Sequence, residues 1–195
     1  MQANRQTNAD RSRTTRAALT GAARKLFIEK GFAETSTPQI VKEAGVTRGA
    51  LYHHFADKTE LFEAVLEGEA AAIAADIDAK TDTGMSAFDN LVLGGEAYLD
   101  AMAEPGRAQL LLLDGPAILG SETVAGVHAR HGDAQLQEGL AFAIKQGAMP
   151  DLPLGPLTQI FSAMFDRAAV AIAAGEPAAD YKQALRGLIS QMVVR

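Results

Sequence analysis

Residues 37–61 read TPQIVKEAGVTRGALYHHFADKTEL and spell two short helices joined by a tight turn. Thr37 is a favoured N-cap type, and Pro38 follows at the first helical position, where a missing N–H costs nothing. Ile40, Val41 and Ala44 recur at i, i+1 and i+4, the inner face of the first helix. Gly45 stands just past that face, where a left-handed residue is wanted and glycine adopts it without strain. Val46 plugs the turn, Thr47 caps again, and a second helix spans 48–54. Two short helices around a glycine turn make a helix-turn-helix, whose second helix enters a DNA major groove.

The letters carry more than the bare motif. GVTRGALYHHFADKTEL at 45–61, preceded by AARKLFIEKGF at 22–32, resembles the signature of the TetR (tetracycline-repressor-like) family of bacterial transcription regulators. There a Gly-Val-Ser/Thr-x-Gly-x-aliphatic-Tyr-x-His/Tyr-Phe-x-Asp/Ser/Asn-Lys run covers the recognition helix and the start of the next helix. The match extends over residues 11–65; beyond it only length and an all-helical pattern agree. The resemblance implies an all-α fold, and the apolar periods along the chain give about nine helices and no sheet. A disordered arm at 1–10 precedes a DNA-binding domain at 11–71, with its helix-turn-helix at 36–55. A larger effector-binding and dimerisation domain follows at 80–195. It also implies a repressor released from a palindromic operator by a small molecule, with no catalysis and no cofactor.

Charge is distributed as that division requires. The whole chain of 195 residues carries −6, which by itself argues against nucleic acid. Residues 1–58 hold ten Lys/Arg against five Asp/Glu, leaving eight against nineteen in 59–195. A basic end on an acidic body is the electrostatic footprint of one DNA-facing surface. The chain has no cysteine, which excludes disulfides and thiolate metal sites. It has no run of 18 apolar residues and no signal-peptide pattern, so a cytoplasmic protein is expected.

Outside the motif the apolar period is helical throughout. Leu19, Ala22, Ala23, Leu26 and Phe27 stripe a first helix at 11–30, closed by Gly31. A fourth helix starts after Asp57 and runs to about residue 79. Phe88, Leu91, Val92, Tyr98, Leu99 and Met102 mark a fifth, and a short apolar helix at 108–114 is expected to stop at Gly115-Pro116. Ser121 is expected to cap one long helix reaching about 146, followed by a loop containing Pro150, Pro153 and Pro156. Two final helices at 156–174 and 177–194 complete the pattern, with Ile160, Met164, Leu188 and Met192 among the residues read as inward.

If the recognition helix docks as in related proteins, Thr47, Arg48, Gly49 and His53 face the groove. Arg48 has the fork that pairs with guanine O6 and N7. Tyr52 and Lys58 suit phosphate, Lys58 beside the N-terminus of the fourth helix, and Ser36, Thr37 and Gln39 lie on the same approach. Leu51 and Phe55 belong to the core. Arg13 and Arg16 read as solvated surface, and His54 as a helix-end residue. His53 and His54 point about 100° apart on a helix, so they cannot share one ion.

At the other end the resemblance implies dimerisation through helices 156–174 and 177–194. Their apolar faces (Leu157, Phe161, Phe165, Ala168, Ile172; Leu185, Leu188, Met192) exceed what one intramolecular contact needs, although some must be ordinary core. Aromatic and methionine residues on the middle helices suggest a pocket: Phe88, Tyr98, Met102, Phe142 and Met164. Asp114, Arg107 and His128 are the nearest polar groups able to orient a ligand. Such a cavity suits a hydrophobic or aromatic effector. His128 and His131, at i, i+3 with Glu122 and Asp133 near, are a weak metal signal because no third ligand is defined.

The rival reading is a small all-helical ligand-binding protein or enzyme with no sequence-specific DNA role. No nucleophile elbow, phosphate-binding loop or HExxH supports it. A non-specific DNA coat protein would be basic throughout, which the acidic body contradicts.

Overall fold

The computed structural model describes residues 8–82 and 84–193, and among them there are ten α-helices, one π-helical segment and no strand. Two compact units divide the chain between Glu67 and Gly68, inside the fourth helix. The expected domain limits at 71 and 80 lie somewhat further along. Of the expected arm, residues 1–7 lie outside the described residues.

The first unit contains α1 (Asn8–Glu34), α2 (Thr37–Ala44), α3 (Arg48–His54) and the start of α4 (Lys58–Asp78). The first helix begins at Asn8, so residues 8–10, expected in the arm, are helical. Asp10 in its first turn complements the helix dipole and pairs with Arg13. Leu19, Ala23, Leu26 and Phe27 of α1 pack with Ile40, Leu51, Phe55, Leu61 and Phe62 in one small buried core. The rings of Phe27, Phe32 and Phe62 meet with centroids 5.2–5.5 Å apart. An exposed ion pair, Lys25 to Glu43 at 2.6 Å, ties α1 to α2.

Two glycines set the turns. Gly45 ends α2 in the left-handed region at φ 66°, ψ 29°. Its N–H donates to the Lys42 carbonyl and that of Val46 to the Val41 carbonyl, the paired bonds of a Schellman motif. Gly31 breaks α1 at φ 79°, ψ 164°, a region nearly closed to any residue with a Cβ. Four carbonyls around that break accept from two side chains. Thr35 Oγ1 donates to Leu26 O and Gly31 O, and Lys58 Nζ to Phe32 O and Thr35 O at 2.7 and 2.8 Å. A Cβ at Gly31 meets nothing within 4 Å, so the cost of replacing it is purely conformational. Gly31→Ala is expected to lower stability by about 1–3 kcal/mol, read as a fall in urea midpoint without loss of helix content.

The second unit comprises the rest of α4 with α5 (Ala87–Met102), a π-helical segment (Gln109–Asp114), α6 (Gly115–Leu119), α7 (Ser121–Arg130), α8 (Gly132–Lys145), α9 (Leu154–Ala173) and α10 (Ala178–Met192). The fifth helix is central, packed by α8, α9 and α10. Leu99, Met102, Leu110, Val127, Leu140, Phe161 and Ile189 are among its most buried side chains. Gly95 lets the Phe165 ring lie on the α5 backbone, since a Cβ there would fall 2.4 Å from it. Arg186 of α10 pairs with Glu96 at 2.7 Å and Lys182 with Asp100, fastening α10 to α5.

Several expectations are corrected. The N-cap of α2 is Ser36, one residue before Thr37, because Gln39 at N3 takes its N–H at 2.8 Å and closes a capping box. Gly115-Pro116 does not stop the chain's helical course. The segment before it winds as a π-helix, and Pro116 falls in the first turn of α6, where no N–H is required of it. Gly120, at φ 82°, makes the stop. The long helix expected from Ser121 to about 146 is two, broken where His131 leaves helical geometry before Gly132, a poor helix former. This takes His131 off the shared helical face on which a pairing with His128 depended. The ninth helix begins at Leu154 and places Pro156 in its first turn.

Candidate nucleic-acid interface and ligand cavity

In the first unit, α3 presents a polar face away from Leu51 and Phe55. Thr47 caps it by accepting the Ala50 N–H at 3.2 Å, so Arg48 and Gly49 stand in its exposed first turn. Tyr52 is one turn on and 45% exposed, with the Arg48 guanidinium 5.5 Å above its ring. The Tyr52 hydroxyl is held below the usual tyrosine range by hydrogen bonding to Thr37 and then to Arg48. Tyr52 of α3 thus lies beside Thr37, the first residue of α2, and Arg48 lies over its ring. Ser36, Thr47 and His53 are exposed nearby, and Gln39 is half-buried by its cap role. His53 and His54 rings stand edge to face at 5.3 Å.

Lys58 does different work from that expected. Its ammonium is held by two backbone carbonyls and lies 4.2 Å from the Phe32 ring centroid. The α4 N-terminus beside it is already capped: Asp57 Oδ1 accepts the Glu60 N–H, and Glu60 accepts the Ala56 N–H. Arg16, read as solvated surface, stacks 4.4 Å over Phe55 and donates to the His54 carbonyl at 3.4 Å. This bond puts a cation on the α3 C-terminus, where the dipole favours one.

The second unit encloses a cavity of about 410 Å³, in the range of small-molecule sites. Its apolar wall includes Ile73, Ile77, Leu91, Leu111, Phe142 and Phe165. A polar group faces it: Tyr98 donates to Asp166 Oδ1 at 2.5 Å, and Ser162 donates to Asp133 Oδ1 at 3.0 Å. Burial raises the Asp166 carboxyl above its usual range, more than the Tyr98 hydrogen bond and His128 lower it. Burial, followed by the charge of Asp166, raises the Tyr98 phenol well above its own.

Of the residues expected around a ligand, Tyr98, His128 and Phe142 line this cavity. Phe88 and Met102 are instead buried core on α5, and Met164 is half-buried off the cavity wall. Asp114 accepts from Gln109 at 2.6 Å on the π-helical segment. Arg107, expected at the surface or on a ligand, is buried against Glu69 at 2.8 Å. Sequence reasoning missed Asp166 and Gln135, and named Asp133 only for a metal. Ser162, Asp166 and Ala169, a row at i, i+4, i+7 beside the Phe161–Phe165–Ala168 stripe, were the available signal.

The final helices also sort differently. Leu157, Phe161, Phe165, Ala168 and Leu185 are buried within the chain, and a helix already packed on one side cannot offer that face to a partner. Ile160, read as inward, is 66% exposed, with Leu188 at 53% and Met192 at 38%. Residue 194 lies outside the described residues.

Comparison with known proteins supplies a frame. The family model "Bacterial regulatory proteins, tetR family" matches residues 19–65, and "Tetracyclin repressor-like, C-terminal domain" matches 88–194. A TetR-family transcriptional regulator from Pectobacterium atrosepticum superposes with TM-score 0.76 at 32% identity, covering 97% of this chain and 98% of that one. The Tn10 TetC protein of Escherichia coli is 34% identical over 110 residues, 55% of this chain and 54% of its own. The regulator AcrR of Shigella flexneri is 47% identical over 53 residues, 27% of this chain and 25% of its own. The chain thus spans about half of the first curated relative and a quarter of the second.

Proposed function

This chain belongs to the TetR family of bacterial regulatory proteins, and on that premise we propose a dimeric repressor that a small molecule releases from a palindromic operator. The family is one of transcriptional regulators, not enzymes. The observation that carries the reading is the exposed pair Arg48 and Tyr52 on a capped recognition helix, with half-buried Thr37 of α2 beside Tyr52. Arg48 and Gly49 read the groove, with Thr47 and His53 beside them. Tyr52, Thr37, Ser36 and Gln39 hold the phosphate backbone. Lys58 supports that surface from behind through the α1–α2 junction.

One recognition helix reads few bases, so two copies must present theirs about 34–36 Å apart. The outward apolar residues Ile160, Leu188 and Met192 are the surface for a second copy, burying apolar area that a monomer leaves wet. Leu188→Glu is expected to give a monomer by sedimentation, with helix content unchanged and operator affinity reduced. A stable dimer in that variant would move the interface elsewhere.

The α4 helix carries residues of both units, and Ile73 and Ile77 of its second half line the cavity. A ligand there shifts the DNA-competent population only by its differential affinity for the two states. No described helix is long and apolar enough to cross a membrane, and action on DNA places the work in the cytoplasm.

The test is anisotropy of labelled duplexes from the region upstream of its own gene, against random duplex, across a salt series. Saturable binding at one palindrome with a specificity ratio above about a thousand supports the reading. Equal affinity for every duplex refutes it.

A further inference from the structure

The cavity of the second unit is apolar over most of its wall, yet its charged groups are nearly of one sign. Asp78, Asp82, Asp133, Glu138 and Asp166 all line it, and among the described residues no lysine or arginine does. His128 is the one basic side chain on the wall. Asp78, Asp82 and Glu138 stand at its exposed rim, while Asp133 and Asp166 lie deeper. An apolar ligand alone gives no reason to hold Asp166 where burial penalises its charge.

The hydrogen bonding has the same bias. Asp166 and Asp133 accept from Tyr98 and Ser162, single donors that leave most of each carboxylate's acceptor capacity unused. Gln135 spends its amide N–H groups on the Ala74 carbonyl at 3.0 Å and on Asp78. Its Oε1 is buried and has no partner among the described residues. An unmet buried acceptor costs stability unless a donor arrives. The wall therefore offers acceptors and negative charge, and asks for donors and positive charge.

We propose that this cavity binds an organic cation: an apolar, ring-containing body of drug-like size bearing a protonated amine. The inference rests on reading the cavity as the effector site. The amine sits beside Asp166 and Asp133, where it supplies positive charge and donors to their free acceptor positions, and the ring system lies between Phe142 and Phe165. Carboxylate effectors are excluded by the same groups, because a second anion would be driven out by those already present. Tyr98 holds Asp166 in place and is a positioning residue for the contact.

Three fluorescent ligands sharing one ring system separate the terms: 9-(aminomethyl)anthracene, 9-anthracenemethanol and anthracene-9-carboxylic acid. The chain has no tryptophan, so Phe142→Trp in the full-length protein gives a single reporter on the cavity wall, read by energy transfer to anthracene. The amine is expected to bind about tenfold or more tightly than the alcohol, and the acid most weakly. Asp166→Asn and, separately, Asp133→Asn should each shrink the amine-to-alcohol ratio, and the double variant should bring it to within roughly twofold. Asparagine matches aspartate in shape and its Oδ1 still accepts from Tyr98 or Ser162, so both variants keep their fold, checked by circular dichroism. Alcohol equal to amine, a preference for the acid, or a ratio unchanged in the double variant overturns the cationic assignment and leaves the effector-site reading standing. Failure of all three to reach the reporter overturns both.

Discussion

Arg48→Ala and Tyr52→Ala each lower operator affinity by roughly tenfold to a hundredfold, leaving helix content and thermal midpoint within error of the parent. The size follows from geometry. Arg48 stands exposed in the first turn of α3, its guanidinium over the Tyr52 ring, which pre-orders a long side chain before it meets a base edge. Removing it forfeits the bidentate pair, worth about 1–3 kcal/mol, and relaxes discrimination at one base pair. Tyr52 acts differently, since its exposed hydroxyl lies beside Thr37 and faces phosphate, not a base edge. Its removal takes away a hold on phosphate, so the effect falls on all sequences alike. Neither side chain supports the core, which α3 enters through Leu51 and its C-cap Phe55, 0% and 1% exposed. The salt series distinguishes the two. Giving up one phosphate interaction reduces the slope of log K against log salt by about one, whereas giving up a base-edge hydrogen bond leaves it unchanged. Equal affinity of both variants and the parent for the operator would take α3 out of the groove.

Arg107→Ala is expected to cost about 3–5 kcal/mol, as much as truncating a buried aromatic ring of the core. Arg107 and Glu69 are 11% and 10% exposed and meet at 2.8 Å, while Arg107 also donates to the Ala101 carbonyl at 2.7 Å. Taking away the guanidinium removes the cation that faces a carboxylate only 10% exposed, and one of the donors to the Ala101 carbonyl, whose bond from the Glu104 N–H stays. The double change Glu69→Leu with Arg107→Met removes both charges, and recovers most of the loss because the desolvation cost disappears together with the attraction. Urea unfolding of the parent, the single variant and the double variant checks this. A single variant within about 1 kcal/mol of the parent would show the pair to be solvated in solution.

The DNA-facing half was legible because its signals are local. A C′ glycine, a threonine cap and a period of apolar residues act within a few residues, so Gly45, Thr47 and Leu51 stand where their neighbours in the sequence require. Even there, the cap at Ser36 depended on a glutamine three residues later, and the binding of Lys58 depended on carbonyls 23 and 26 residues away. Such a partner cannot be seen from the lysine's own surroundings.

The second unit was legible as helices and illegible as a site. Phe88 and Phe142 are both aromatic residues on amphipathic helices, and nothing in either stretch says that one is core and the other cavity wall. Leu185 and Leu188, three residues apart on α10, are buried and exposed for the same reason: which neighbours α5 and α9 bring is a matter of packing. Breaks were equally opaque. The chain passes Pro116 by winding wide before it and halts at His131, a compromise set by what the turns pack against. The sequence by itself determined the all-helical class, the motif and the polarity of charge between the two ends, because these rest on short-range sterics and on sums. Only the tertiary structure decided that Tyr98, Asp133, Asp166 and Gln135 line one cavity, and that Arg107 answers Glu69. Those groups come from α4, α5, α8, α9 and the stretch after α5, and meet only when burial of the apolar faces between them closes the fold.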